Sequence, residues 1–137
     1  MEFERGISMS ETNRTTVRSI YDAFAAEDYA RALGLCDPKV TFQIAGKSPL
    51  AGKYDATNFV SGLVTKWKEL SAGQYNLEVH DVLASDRHAV ALTSVKFTKN
   101  GATVEYRSAQ VWRIENGKPV AWYEYLRDGY QFDAIWS

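Results

Sequence analysis

The chain has 137 residues, 45% hydrophobic and 24% charged, with a formal net charge of −1. That length allows one domain around a single core, and the near-neutral balance removes the electrostatic case for a nucleic-acid or anionic-membrane partner. A single cysteine, Cys36, excludes an intramolecular disulfide, and no apolar run is long enough to span a bilayer.

The opening MEFERGIS is too charged and short for a signal peptide, so a cytoplasmic location is expected. Met9 reads as the natural start. Residues 1–11 are expected to be a disordered or non-native tail, and residues 12–137 one domain.

In residues 13–26, Val17, Ile20, Tyr21 and Phe24 recur at helical spacing with polar residues opposite, which predicts an amphipathic helix. Asp28 is placed to cap a second short helix, YARALGLC, and Pro38 forbids its continuation. KVTFQIAG (39–46) reads as a strand ending at Gly46. KSPLAGKY then reads as a loop punctuated by Pro49 and Gly52. Residues 55–70 carry the clearest helix, with Phe59, Val60, Leu63, Val64, Trp67 and Leu70 in one stripe.

From there the period shortens to two. Residues 73–84, 88–98, 102–114 and 119–127 read as four strands, turned at Ser85-Asp86, Asn100-Gly101 and Asn116-Gly117. The closing DGYQFDAIWS is a docking helix or a free tail; Phe132, Ile135 and Trp136 favour docking, because exposing three large apolar groups costs free energy. The order is α+β, with helices packed on an antiparallel sheet. Aromatics make 13% of the chain, and such residues either fill a core or line a pocket.

One stretch carries chemistry. In AWYEYLRD (121–128), strand alternation puts Trp122, Glu124 and Leu126 on one face. An acid between a tryptophan and a leucine is either a desolvated acid/base group, a partner of an unseen cation, or a residue at a solvated mouth. His80 and Asp81 are strand neighbours on opposite faces and do not form a dyad. Two separated histidines and one cysteine make no metal site, and no phosphate-binding glycine loop or nucleophile elbow occurs.

The element order over residues 14–128, with YDAFAAEDYARAL, DPKVTF, SPLAGKYD and VWRIENGKPVAWYEYLRD, resembles the nuclear transport factor 2-like superfamily, its SnoaL-like and ketosteroid isomerase-like members above all. The resemblance implies a cone-shaped α+β barrel, three N-terminal helices packed on a strongly curved antiparallel sheet. It also implies a mostly apolar pocket on the concave face and a homodimer through the outer face. Inward-facing residues are then Val104, Tyr106, Ser108, Gln110, Trp112 and Ile114 on one strand, Ala89, Ala91, Thr93, Val95 and Phe97 on its neighbour, and Trp122, Glu124 and Leu126 on the last. The implied pocket lining is Phe24, Phe42, Gln43, Tyr106, Trp112, Trp122 and Leu126, with Trp112 and Trp122 equally readable as core.

Three chemistries of that superfamily are weighed against the residues present. The ketosteroid isomerase pattern asks for a carboxylate base, a tyrosine and a protonated acid; those positions hold Gln43, Tyr21 and Gln110, so the base is missing, while Tyr21 and Gln110 are left to polarise an oxygen. The epoxide hydrolase pattern matches at Glu124 but falls on Thr93, Val95, Phe42 and Ile44 elsewhere, and is disfavoured. The SnoaL-like cyclase pattern needs one acid on the last strand, and Glu124 stands there. The implied function is the binding of a small, mostly apolar carbonyl-bearing molecule. Cofactor-free acid/base catalysis (cyclase, isomerase or lyase type) by Glu124, Tyr21 and Gln110 stays open beside a non-catalytic binding protein. Tyr21 also reads as a core aromatic, and Gln43 and Gln110 as structural polarity.

Overall fold

A computed structural model describes residues 8–137. Helix α1 (Met9–Ala25) is capped by Ser8, whose side chain accepts from the Glu11 N–H. The fold therefore begins before the expected boundary at residue 12, and the rest of the expected tail, residues 1–7, lies outside the described residues. α1 buries Val17, Ile20 and Tyr21. Asp28 caps α2 (Tyr29–Gly34) as expected, accepting from Arg31 N at 3.1 Å.

Strand β1 (Thr41–Ile44) is followed by β2 (Gly52–Asp55), in a segment expected to be loop. β2 pairs antiparallel with β1, and buried Tyr54 anchors it by donating to the Leu50 carbonyl at 2.8 Å. A four-residue strand with one large apolar side chain has no periodic signal, so alternation cannot reveal it. The next helix starts with a π-helical segment, Phe59–Val64, and continues as α3 (Thr65–Leu70). The wide turn has a local cause. Thr65 Oγ1 takes up the Val60 carbonyl at 3.0 Å, and a Cβ on Gly62 would stand 3.1 Å from the Tyr54 ring.

Strands β3 (Asn76–Ala84), β4 (His88–Lys99), β5 (Ala102–Glu115) and β6 (Lys118–Leu126) form the expected antiparallel meander. Asn100 and Asn116 take positive φ (53° and 51°), each followed by a glycine at positive φ, as two-residue hairpins require. The sheet order is β2-β1-β6-β5-β4-β3. The expected α+β cone of helices on a largely antiparallel sheet is present; in detail the sheet is mixed and open, because β1 runs parallel to β6 and β2 and β3 are left as edges. Hairpin signals specify neighbours in sequence; the distant partner of β1 has no such signal.

The last residues fold as α4 (Gly129–Trp136), capped by Asp128, which accepts from the N–H groups of Tyr130 and Gln131. Phe132 and Trp136 are fully buried against Tyr106 and Phe97, with ring centroids 4.9 and 5.0 Å apart. Burying each such side chain contributes roughly 1.5–3 kcal/mol, which is why this end docks. Among the described residues no helix is long and apolar enough to cross a membrane.

A carboxylate at the floor of an aromatic cavity

Between α1, α3 and the concave face of the sheet lies a cavity of about 610 Å³. Phe24, Phe42, Tyr106 and Trp122 line it, joined by Phe59, whose ring centroid stands 4.3 Å from that of Phe42. Its mouth is polar. Glu27 and Lys68 form an ion pair there, and Lys68 lies 5.6 Å from the centre of the Tyr29 ring.

Glu124 is the carboxylate inside. A directed chain of hydrogen bonds holds it. The Trp112 indole can only donate, and it donates to the Tyr21 oxygen at 3.0 Å. The Tyr21 proton therefore goes onward, to Gln110 Oε1 at 2.5 Å. That sets the Gln110 amide with its nitrogen towards Glu124, where Nε2 donates to Oε2 at 3.0 Å. Ser108 Oγ donates to the same oxygen at 2.9 Å, with Thr93 Oγ1 2.9 Å behind it. The β5–β6 register places Gln110 opposite Glu124, so two cross-strand neighbours supply the last link.

Both donors fall on Oε2. Among the described residues Oε1 has no hydrogen-bond partner, and no cation pairs with the carboxylate. Burial pushes the Glu124 carboxyl above the ordinary glutamate range, and the bonds from Gln110 and Ser108 pull it part of the way back. Burial likewise holds the Tyr21 phenol well above its usual value, so it keeps the proton that it gives to Gln110.

Several expected lining residues stand elsewhere. Phe42 pairs with Trp122 and lines the cavity; Gln43, one residue on, pairs with Tyr123 and by alternation faces outward. Trp112 is on the inward face, but the Tyr21 ring covers it edge-on at 5.9 Å, and it is fully buried behind the cavity wall. Leu126 packs against the core and does not line the cavity. Tyr21 and Gln110 do line it, but their hydrogen bonds are directed at each other and at Glu124 instead of at an open space. The strand alternation expected at His80 and Asp81 is broken by a bulge; His80 turns to Ser94 and Asp81 to Arg18, so they still do not act together.

Sequence reasoning missed Tyr75, Leu77 and Val79, which line the cavity from the start of β3. Their spacing of two was the available signal. It also missed the role of Ser108, whose inward direction was expected but whose partner was not.

The open curved sheet, the helices on one face and the cavity define an α+β protein of the NTF2-like class. A profile of the SnoaL-like domain matches residues 17–122, and the chain belongs to that family. Among solved structures, Bal32a from a soil-derived mobile gene cassette has a TM-score of 0.85 at 22% identity, covering 95% of this chain and all (100%) of that one. An NTF2-like protein of Burkholderia thailandensis has a TM-score of 0.78 at 20% identity, covering 91% of this chain and 97% of that one. TerC, co-crystallised with polyporic acid, has a TM-score of 0.78 at 17% identity, covering 90% and 97%. At such identities the likeness is one of fold. No curated protein sequence matches the chain.

Proposed function

We propose that this protein binds a small, mostly apolar, carbonyl-bearing molecule in the cavity, and that Glu124 moves a proton at the carbon beside the carbonyl. The single observation that carries this is the asymmetry of Glu124, a cavity-lining residue: Oε2 accepts both protein donors, and Oε1 has no hydrogen-bond partner among the described residues. The step needs only this chain's side chains. Oε1 accepts the carbon-bound proton, the C–H electron pair forms the enolate double bond, and the carbonyl oxygen takes the negative charge. Return of the proton from Glu124 to another carbon completes an isomerisation; alternatively the enolate attacks a second carbonyl, whose C=O electron pair becomes an alkoxide, and Glu124 returns its proton to that oxygen to complete a ring closure. The raised pKa of Glu124 supports this role, since a stronger base is poised nearer neutrality. TerC, a protein of the same fold, was co-crystallised with polyporic acid, and a ligand of that general size suits the aromatic walls here.

The test uses acetylnaphthalene in D2O. Wild type should accelerate deuterium uptake into the acetyl group, read by mass spectrometry, and Glu124→Gln should abolish the acceleration with its circular dichroism unchanged. Equal uptake by both proteins overturns the reading. A binding-only role draws on one specific observation, the commitment of Tyr21 and Gln110 to Glu124 instead of to a ligand oxygen. In that case Glu124→Gln changes affinity alone.

The outer sheet face supports a homodimer. Leu83, Val90, Val111 and Tyr123 run in register across it, beside Leu92, Ala109 and Tyr125. Leu83, Leu92 and Tyr125 are 53%, 41% and 60% exposed, an apolar patch fitted to a second copy of itself. Sedimentation should show a dimer that Leu92→Asp converts to monomer; a monomeric wild type refutes it.

A further inference from the structure

An enolate oxygen formed beside Glu124 needs a hydrogen-bond donor, and the donors expected for it are already engaged in holding Glu124. Tyr21 gives its proton to Gln110, and Gln110 gives an amide N–H to Glu124. A hydroxyl elsewhere on the cavity wall would serve the oxygen without disturbing that chain.

Tyr75 has the right placement. It lines the cavity that holds Glu124, immediately before β3, in alternation with the cavity-lining Leu77 and Val79. Its ring is fixed: it stacks on Trp67 at 4.8 Å with planes 11° apart, and Trp136 lies 6.0 Å away. Its backbone is fixed too, because the Tyr75 N–H donates to Ser71 Oγ at 3.2 Å. A donor held on rigid supports loses little entropy when it engages a ligand.

Its phenol stands beside that of Tyr106, a second tyrosine on the same cavity wall. Burial first, and then the Glu124 charge, hold the Tyr75 phenol well above its usual pKa, so it remains a protonated donor.

Resting on the reading of the cavity as a carbonyl site, we propose that Tyr75 donates the hydrogen bond that holds the ligand's carbonyl oxygen and carries the charge of its enolate. Glu124 supplies the acceptor of the proton, and Tyr75 supplies the donor to the oxygen.

The experiment uses acetylnaphthalene as probe, with fluorescence titration for affinity and isotope-edited infrared spectroscopy for its bound carbonyl stretch. Wild type should lower the stretch relative to an apolar solvent. Tyr75→Phe should return it to the apolar value and weaken binding about 5–10-fold, the loss of one hydrogen bond. Tyr106→Phe, which leaves Tyr75 in place, should keep most of the shift. Circular dichroism and thermal melts establish that both variants fold. A stretch unmoved by Tyr75→Phe, or abolished only by Tyr106→Phe, overturns the proposal while leaving the deuterium chemistry of Glu124 intact. Absent deuterium uptake with a stretch that still depends on Tyr75 removes the catalytic reading and keeps the donor. A probe that fails to bind wild type overturns both.

Discussion

Tyr21→Phe is the sharpest test of the network that holds Glu124. The substitution keeps the ring, so the edge-on contacts with Phe24 and Trp112, at 5.8 and 5.9 Å, survive. It removes one oxygen, and with it two buried bonds: the Trp112 indole loses its acceptor and Gln110 Oε1 loses its donor. Trp112 is 0% and Gln110 4% exposed, so water does not replace the missing partner at either. Each stranded group costs about 1–3 kcal/mol, which together makes roughly 2–6 kcal/mol of stability. In urea, with a slope of about 2 kcal/mol/M, that moves the unfolding midpoint down by about 1–3 M.

A second readout separates the network from mere packing. Without Tyr21's proton the Gln110 amide is anchored only through its N–H bond to Glu124. A less firmly held donor pulls the Glu124 pKa down less, and Gln110 is the chief of the two donors that do so. The Glu124 titration, followed by its infrared carboxylate band, should move to higher pH in the variant. A variant that unfolds at the wild-type urea concentration, with Glu124 titrating where it did before, would show that Tyr21 is a core aromatic and nothing more.

Three further outcomes follow from the same geometry. Because the folded pKa of Glu124 lies above its unfolded value, the native state holds more protons between the two; its contribution is fully present below the unfolded pKa and lost as pH rises through the folded one. Denaturant titrations should show that decline in wild type and a flatter profile in Glu124→Gln; parallel profiles refute it. Gly46 has φ +105°, and a Cβ there would lie 2.6 Å from Asp133 Oδ1, so Gly46→Ala should cost about 1–3 kcal/mol in a thermal melt, and an unchanged melting point contradicts that clash. Lys99 donates to the Ile135 and Ser137 carbonyls at the end of α4. Lys99→Met should loosen that helix by about 1 kcal/mol, seen as faster hydrogen exchange in α4 with β5 unchanged; equal protection would remove the capping role.

The meander and the helices were legible because their signals are local. Asn-Gly pairs fix hairpins, and a repeat of two or of about 3.6 fixes element type. The β1–β6 pairing was not legible because it joins residues about eighty positions apart, Phe42 with Trp122, and no local pattern reports a distant partner. Gln43 was legible in principle: if Phe42 faces in, the next residue faces out, so both cannot line one cavity.

Glu124 was readable because one acid interrupts one apolar face, and that requires only strand parity. Its support required more. Trp112, Tyr21 and Gln110 come from α1 and β5, and which of them touch depends on where the helix crosses the sheet. Once they touch, chemistry leaves little choice. An indole has a proton and no lone pair to offer, so the bond order must run outward from Trp112 through Tyr21 and Gln110 to an acceptor. The acid at the end of such a chain receives a donor on the inner oxygen, and the outer oxygen is left for whatever enters. The residue that seemed to stand alone among aromatics is thus held by a directional path that begins at one of them.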